Sequence, residues 1–479
     1  MILVIAEKPS VAQSIAKVLG ATSRKDGYME GGNYIVSWCF GHLVELADAS
    51  SYDERYAKWR YDDLPIVPEN WMFEVTKDKA QQFKVLSSLM EDKRVTELVC
   101  ATDAGREGEL IFRLVYNKAG CTKPFKRLWI SSLEDSAIRE GFNHLRDGKE
   151  YDRLYEAALS RSKADWIVGI NGTRLFTTLY HKKLVVGRVQ TPTLAMLVER
   201  DGKISTFHKE KYFNVHVGKG DLTADLEKVK TEEEAKRIAA ACEKKQAVVS
   251  SLKRETKTVN PPKLYDLTTL QREANRYYGF TAQQTLDLVQ TLYEKKLLTY
   301  PRTDSQFITD DMEDTARQVI SIVCRQFPLF SGVLVTPDIA RVTDNSNVTD
   351  HHAILPTVQL EKQDVSALPQ SEQKILNLVG MRLLCATGEK HTYAETQISL
   401  SCESYTFKTK GKTVVQNGWK AIEELFKASL KTKEKDDPMK SLPEVHEGDV
   451  LDGVSASVTE HFTTPPKQYT EDTLLSAME

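Results

Sequence analysis

The chain has 479 residues, 41% hydrophobic and 28% charged, a composition that is ordinary for a globular protein and long enough for several domains. With 65 basic against 68 acidic side chains the net charge is −3, which excludes a whole-chain positive field and confines any nucleic-acid surface to a local basic groove. The seven cysteines (Cys39, Cys100, Cys121, Cys242, Cys324, Cys385, Cys402) are scattered and never spaced C-x-x-C, which argues for a reducing cytoplasm and against zinc or a disulfide framework.

No apolar run reaches membrane-spanning length, and the opening MILVIAEKPS reads as a short strand rather than a signal peptide. Ile2–Ala6 predicts a buried strand. Pro9 then opens a helix with Val11, Ile15, Val18 and Leu19 on its apolar face, stopping at Gly20. The pattern returns at Glu97–Thr102, followed by a helix carrying Leu110, Ile111, Leu114 and Val115. Such strand-then-helix units predict a mainly parallel α/β sheet over residues 1–150. Residues 151–207 read as helical. Two stretches, 208–262 and 393–464, read as strand-rich, with Tyr212–Val217, Thr396–Leu400 and Asp449–Leu451 as the clearest strands. Between them, 263–392 is helical. Its best-marked helix starts where Thr281 and Gln284 form a capping box after Gly279, runs through Leu286, Val289, Leu292 and Tyr293, and delivers Tyr300. Lys431–Pro438 is mixed in charge and predicts a solvated loop. There is one internal echo: Pro261-Pro262-Lys263-Leu264-Tyr265 leads to Thr269-Leu270, and Pro465-Pro466-Lys467-Gln468-Tyr469 leads to Thr473-Leu474 at the same offset. The second copy is expected to open a domain that is left incomplete at Glu479.

The segment Leu297–Ser305 places a phenol (Tyr300), a guanidinium (Arg302) and a carboxylate (Asp304) within five residues. Pro301 pushes Tyr300 into an extended conformation, so that with a period of two Tyr300 and Arg302 point the same way. A cation beside a phenol favours the phenolate, and guanidinium matches phosphate oxygens bidentately; the pairing suggests covalent chemistry on a phosphodiester. Alone, a tyrosine before a proline is more often a packed aromatic at a turn. Glu7 and Asp103 fall at the carboxyl ends of two predicted strands, the edge where functional groups of open α/β sheets collect, and Glu107 lies in the first turn of the next helix. Three carboxylates converging there suit Mg²⁺, which uses few protein ligands and keeps several waters. Acidic residues at helix N-termini also simply complement the dipole. Lys8, beside Glu7, is placed to meet a phosphate.

Ile5-Ala6-Glu7-Lys8-Pro9-Ser10 and Ala101-Thr102-Asp103-Ala104-Gly105-Arg106-Glu107-Gly108-Glu109 resemble the two halves of a Toprim metal site. With Gly187–Leu194, Tyr300-Pro301-Arg302-Thr303-Asp304-Ser305 and His351–Thr357, in that order along the whole chain, they resemble the type IA DNA topoisomerases, topoisomerase III most closely. The resemblance implies a multi-domain α/β and β fold. A Toprim α/β domain would cover 1–150, and a helical DNA-groove domain 151–207, resuming at 465–479. A β-rich arch would take 208–262 and 393–464, and a helical domain at 263–392 would carry the tyrosine, the four closing a toroid.

In that family scheme Tyr300 attacks a DNA phosphate and keeps the 5′ end as a phosphotyrosine, which the 3′ hydroxyl later reverses without ATP. Glu7 would be the general acid for the departing 3′ oxygen and would share Mg²⁺ with Asp103 and Glu107. Lys8 and Arg302 would stabilise the transferring phosphoryl, and His351, or its neighbour His352, would lie near the scissile region. Gly187, Arg188, Val189 and Gln190 would contact single-stranded DNA, Arg188 on a phosphate, and Arg161 and Lys163 would line the same groove. Arg161 and Asp165, four apart, equally fit an ion-paired exposed face. Trp38, Phe40 and Trp166 are candidates for base stacking, with core packing as their alternative.

Two features depart from the family pattern. Its acidic motif commonly reads Asp-x-Asp-x-Glu, and here Gly105 takes the middle place, which lowers the expected metal affinity unless Glu109 compensates. Family members also continue past the second Pro-Pro-Lys segment, so part of the DNA grip is expected to be missing. The expected function is Mg²⁺-dependent, ATP-independent cleavage, strand passage and religation of single-stranded or negatively supercoiled DNA, relaxing or decatenating it. The alternative is a non-catalytic single-strand-binding fragment. The resemblance further implies a cytoplasmic monomer associated with the nucleoid or a mobile element, a RecQ-type helicase or single-strand-binding protein as partner, and no membrane.

Overall fold

The computed structural model of the protein describes residues 1–348, 351–430 and 442–479, so the mixed-charge stretch Lys431–Pro438 lies outside the described residues. Among the described residues no helix is long and apolar enough to cross a membrane.

The first sheet is built on β1 (Ile2–Ala6), whose Leu3, Val4, Ile5 and Ala6 are fully buried. A central parallel strand is covered on both faces, which is why it reads as an unbroken apolar run. Its companions are β2 (Ser23–Lys25), β3 (Tyr28–Gly31) and β4 (Tyr34–Trp38), then β7 (Glu97–Ala101), β8 (Phe125–Arg127) and β9 (Arg146–Asp147), in the order β2-β3-β4-β1-β7-β8-β9. The middle of the sheet, β4-β1-β7-β8, is parallel and both edges turn antiparallel. A separate two-stranded ribbon pairs β5 (Val44–Leu46) with β6 (Phe73–Val75). Helices α1 (Pro9–Leu19), α2 (Ala49–Tyr52), α3 (Ala80–Glu91), α4 (Arg106–Lys118) and α5 (Asp135–Asn143) accompany this sheet. Proline opens α1 and Gly20, at φ 76°, closes it in the left-handed region. The residues α1 buries are Val11, Ala12, Ile15 and Ala16, whereas Val18 and Leu19 are only half-buried, so its core face is turned from the predicted one toward the two alanines.

Two long helices follow, α6 (Asp152–Tyr180) and α7 (Gln190–Ser205). α6 buries only Ala158 and Arg174, and α7 buries no residue. The second sheet is antiparallel and comprises β10 (Lys211–Lys219), β11 (Leu222–Val229), β12 (Ala247–Val259), β13 (His391–Cys402), β14 (Tyr405–Gln416), β15 (Val450–Leu451) and β16 (Ser455–Phe462). Helix α8 (Glu232–Cys242) breaks into the strand-rich sequence; Thr231 caps it and three glutamates fill its first turn, a start signal that favours helix locally.

Between the adjacent strands β12 and β13, paired from Ala247–Cys402 to Val259–His391, the chain makes an excursion of helices. These are α9 (Leu267–Tyr278), α10 (Ala282–Glu294), α11 (Glu313–Gln326) and α12 (Gln370–Ala386), with α13 (Lys420–Ser429) packed onto α12. The expected capping box is present on α10: Thr281 and Gln284 exchange side-chain and backbone hydrogen bonds. The two Pro-Pro echoes meet in space. Each opens a capped helix, α9 and α14 (Glu471–Met478), and these pack together through Asp472, which pairs with Arg272 at 3.1 Å and Arg276 at 2.8 Å.

The helical block docks on the carboxyl edge of the first sheet, where Tyr293 and Tyr300 join a core of Val4, Ala6, Val99 and Ala101. Directly behind that edge lies a fully buried guanidinium. Arg127 donates to the carbonyls of Thr102 (2.7 Å), Asp103 (2.6 Å), Cys100 (3.1 Å) and Leu128 (3.0 Å), and its Nε lies 3.1 Å from the buried Glu109. Arg127→Met removes the donor for four carbonyls and one partner of a buried carboxylate. The expected loss is about 3–5 kcal/mol of stability in the first-sheet unit, read as an earlier midpoint in chemical denaturation.

Candidate active site

The nucleophile candidate is placed by a short antiparallel pairing across more than fifty residues of sequence. Thr299 N–H donates to Leu355 O (2.9 Å), Leu355 N–H to Thr299 Oγ1 (2.9 Å), and Thr357 N–H to Leu297 O (3.1 Å), while Leu298 bridges Pro356. Both partners run into prolines, Pro301 and Pro356, and a residue before proline is held extended. The pairing sets the His351 ring 4.3 Å from the Tyr300 ring, centroid to centroid. Tyr300 then crosses to the first sheet. Its N–H donates to Ser131 O at 3.0 Å and its phenol O–H to Asp103 Oδ2 at 3.2 Å.

Glu7 and Asp103 follow β1 and β7, which are hydrogen-bonded neighbours with Ala6 opposite Ala101. The two carboxylates therefore emerge side by side, and the Asp103 N–H donates to Glu7 Oε2 at 3.3 Å. Burial and the Asp103 charge push the Glu7 carboxyl up to about 7; Lys8 and Arg302 offset only part of this. Burial likewise raises Asp103 above its usual range, against the pull of Lys8, the Tyr300 hydrogen bond and Arg302. Gly108 lets the first turn of α4 pack close on Asp103: a Cβ there would fall 2.0 Å from the Asp103 carbonyl.

An open pocket of about 490 Å³ collects Glu7, Asp103, Glu107, Arg161, Tyr300, Arg302 and His351. Of the predicted site residues, these seven are brought together. Lys8 stands beside the site but is engaged elsewhere, 3.3 Å from Glu294 on α10. Glu107 lines the pocket with its carboxylate turned to His42 (3.5 Å) and Arg161 (3.8 Å), and the His42 hydrogen bond holds it below the usual carboxylate range. Among the described residues no three His, Cys, Asp or Glu side chains gather within ligating reach of one ion. Glu7 and Asp103 are thus the pair best set to hold a metal. Glu109 is no substitute ligand, because it is fully buried against Arg113 (2.8 Å) and Arg127 (3.1 Å). Gly105 lies on the pocket wall in extended backbone, φ 163°, and a Cβ there would meet nothing within 4 Å.

The histidine ambiguity has a geometric answer. His351 reaches the Ser131 hydroxyl through Nδ1 (2.8 Å) and the Ala104 carbonyl through Nε2, whereas His352 is buried with Nδ1 at its neighbour's carbonyl, 2.7 Å from Ala353 O. Burial brings His351 down to about 4, so it is neutral at physiological pH. The expectation that Arg302 favours the Tyr300 phenolate does not hold in this closed arrangement. Burial, Asp103 and Glu7 together raise the phenol well above its ordinary value, and Arg302 counters only part of that.

The predicted DNA-contact residues lie along α6 and at the start of α7. Arg161 does not pair with Asp165: it faces Glu107, and Asp165 takes Arg188 instead, at 2.6 Å. Lys163 sits over the Trp71 ring at 5.4 Å. Gly187 N–H donates to Thr191 Oγ1 (3.0 Å), Val189 is exposed, and Gln190 opens α7. Trp166 is packed edge-on between Trp71 and Tyr52 with its N–H on Ala47 O, and Trp38 is in the core; only Phe40, 48% exposed, presents a free ring. Sequence reasoning passed over Arg127, Ser131, Trp129 and Glu294. Arg127 had a signal: with a strand period of two it falls on the face of Phe125, opposite the exposed Lys126. Trp129 stacks on His351 with ring centroids 6.3 Å apart.

Comparison with known proteins gives a consistent result. The Toprim domain model matches residues 2–133, and the DNA topoisomerase model matches 149–479. DNA topoisomerase 3 of Bacillus licheniformis is 41% identical over 499 aligned residues, covering 100% of this chain and 67% of that protein. DNA topoisomerase 3 of Bacillus subtilis is 41% identical over 489 aligned residues with the same coverage. Among solved structures, full-length topoisomerase I from Thermotoga maritima superposes with a TM-score of 0.73 over 99% of this chain and 74% of that one, at 24% identity, a likeness of fold.

The raised Glu7 carboxyl links stability to pH. The folded protein binds this proton more tightly than the unfolded chain does, so the contribution is complete below about pH 4.5 and is lost as pH rises through about 7. Melting temperature in the presence of a chelator should therefore fall across that interval, and Glu7→Gln should shallow the fall.

Proposed function

This chain belongs to the type IA DNA topoisomerases and is topoisomerase III-like, and on that premise we propose that it cuts one DNA strand through Tyr300, passes DNA through the break and rejoins the ends. The observation that carries the assignment is the Tyr300 hydroxyl 3.2 Å from Asp103, in one pocket with Glu7, Arg302 and His351.

The phenol is protonated at rest, and Asp103 is the acceptor already in its hydrogen bond, so the proton leaves by that route as the phenolic oxygen bonds to phosphorus. The bond from phosphorus to the 3′ oxygen breaks in the same exchange. Glu7, titrating near 7, protonates the leaving 3′ oxygen and recovers that proton on religation. Arg302, and Lys8 once released, bring positive charge to the transferring phosphoryl. His351, neutral and fixed between Ser131 and Ala104, orients the tyrosine by packing rather than by charge. The phosphoester bond is exchanged rather than hydrolysed, which is why no ATP is called for.

Two abutting, buried carboxylates offer a hard, doubly negative oxygen site, which fits Mg²⁺ with most of its shell supplied by water. Glu7 and Asp103 would hold the ion, with Glu107 joining if it let go of His42. Bound there, Mg²⁺ supplies charge neutralisation for the carboxylates and the phosphodiester. Single-stranded DNA, as exposed in negatively supercoiled or linked duplexes, is the proposed substrate, gripped by Arg161, Lys163, Arg302 and the turn Gly187-Arg188-Val189-Gln190.

Tyr300→Phe deletes one hydroxyl and one hydrogen bond. It should abolish the denaturant-resistant adduct to the 5′ end of a labelled single-stranded oligonucleotide while leaving oligonucleotide binding in place. An adduct that persists would assign the nucleophile elsewhere. Because open space faces Gly105, Gly105→Asp is accommodated and adds a carboxylate to the pocket wall near the Glu7–Asp103 pair; plasmid relaxation should then reach half-maximal rate at a lower Mg²⁺ concentration.

A further inference from the structure

Lys8 and Glu294 hold each other in places where helix electrostatics favours neither. Lys8 is the residue before the first turn of α1, where a cation opposes the dipole, and Glu294 is the last residue of α10, where an anion does. Their side chains meet at 3.3 Å across the junction between the first sheet and the tyrosine-bearing block. Ser10 Oγ donates to the other carboxylate oxygen at 3.1 Å, and Gln290 Nε2 donates to the oxygen that Lys8 holds, at 3.0 Å. The side chains are 32% and 29% exposed, so an incoming anion reaches the pair without any unfolding. Glu294 also follows Tyr293, whose ring packs edge-on against Tyr300 with centroids 5.5 Å apart.

We propose that Glu294 is a latch that imitates a phosphate: it occupies Lys8 and Ser10 while the groove is empty, and a phosphate of the bound strand displaces it. Carboxylate and phosphodiester each carry one negative charge and compete for the same ammonium. Displacement hands Lys8 to the substrate and removes one tie between the tyrosine block and the sheet in a single exchange. Lys296–Asp135 at 2.6 Å and the Tyr300 N–H to Ser131 O bond remain, so the junction is loosened and not lost. Glu294 touches no reacting atom and is a positioning residue. The inference rests on the assignment of Lys8 to phosphate made above.

The test uses the full chain with Tyr300→Phe, so that binding is read without cleavage, and a fluorescent single-stranded oligonucleotide followed by anisotropy at fixed salt. Glu294→Gln keeps one carbonyl oxygen, enough for Ser10 or Gln290 but not both, and removes the charge. It should tighten binding about fivefold, the scale of a partly exposed ion pair, and should change nothing when Lys8→Ala is also present. Glu294→Asp, which keeps the charge on a shorter arm, should fall between wild type and Gln. With Tyr300 restored, Glu294→Gln should raise adduct yield at sub-saturating DNA and leave it unaltered at saturation, a KM effect that a merely structural role does not give. Unchanged or weaker binding by Glu294→Gln overturns the latch, as does equal tightening with and without Lys8. If Lys8→Ala alone fails to weaken binding, the phosphate assignment of Lys8 falls and the latch falls with it.

Discussion

Two carboxylates pressed together away from water set the terms for the rest of the site. Glu7 and Asp103 come from strands that are hydrogen-bonded neighbours in register, so the fold gives them no means of separating. Their repulsion and their poor solvation are relieved only by positive charge or by a donated proton, and the surroundings are arranged accordingly. Lys8 and Arg302 lend charge, and the Tyr300 phenol lends its proton. The sheet pins the backbone of this edge from behind through Arg127, a buried cation whose terminal nitrogens donate to carbonyls and whose Nε faces Glu109 rather than Glu7 or Asp103.

The tyrosine block meets that edge with an apolar contact and a polar one. Tyr293 and Tyr300 enter the core of the sheet unit, which dries the site and explains why the phenol holds its proton so firmly. Dry surroundings also keep His351 uncharged, so that it packs against Tyr300 without adding a cation to a place already supplied with Lys8 and Arg302. The polar contacts, Lys8–Glu294 and Lys296–Asp135, lie at the rim where water reaches them. Rim ion pairs are individually weak.

Much of this was legible in the sequence because it is encoded locally. A strand ending in Glu7, another ending in Asp103, a capping box at Thr281 and a proline after Tyr300 each leave a mark within a few residues, and the fold keeps all four. What escaped depends on partners far along the chain. Spacing offered Asp165 to Arg161, but the loop before α7 delivers Arg188 to Asp165 and the first turn of α4 delivers Glu107 to Arg161. The phenolate expectation weighed Tyr300 against its near neighbour Arg302, whereas the decisive charges, Asp103 and Glu7, sit about two hundred or more positions away. Glu109 shares a motif with Glu107 and yet lies inside, because two residues apart on a helix means different faces.

The pairing of Leu297–Thr299 with Ala353–Thr357 also decides which chemical groups share a rigid body. Tyr300, Arg302 and His351 belong to one; Glu7, Lys8 and Asp103 belong to the other. A phosphotyrosyl bond carried off on the first body would therefore travel without the groups that activate an oxygen nucleophile. Solvent meeting it there would find Arg302 but neither carboxylate, whereas on the proposed mechanism the returning 3′ end would meet both on re-docking. On the proposed mechanism, protection of the severed strand from hydrolysis would in this sense be a property of how the residues are divided.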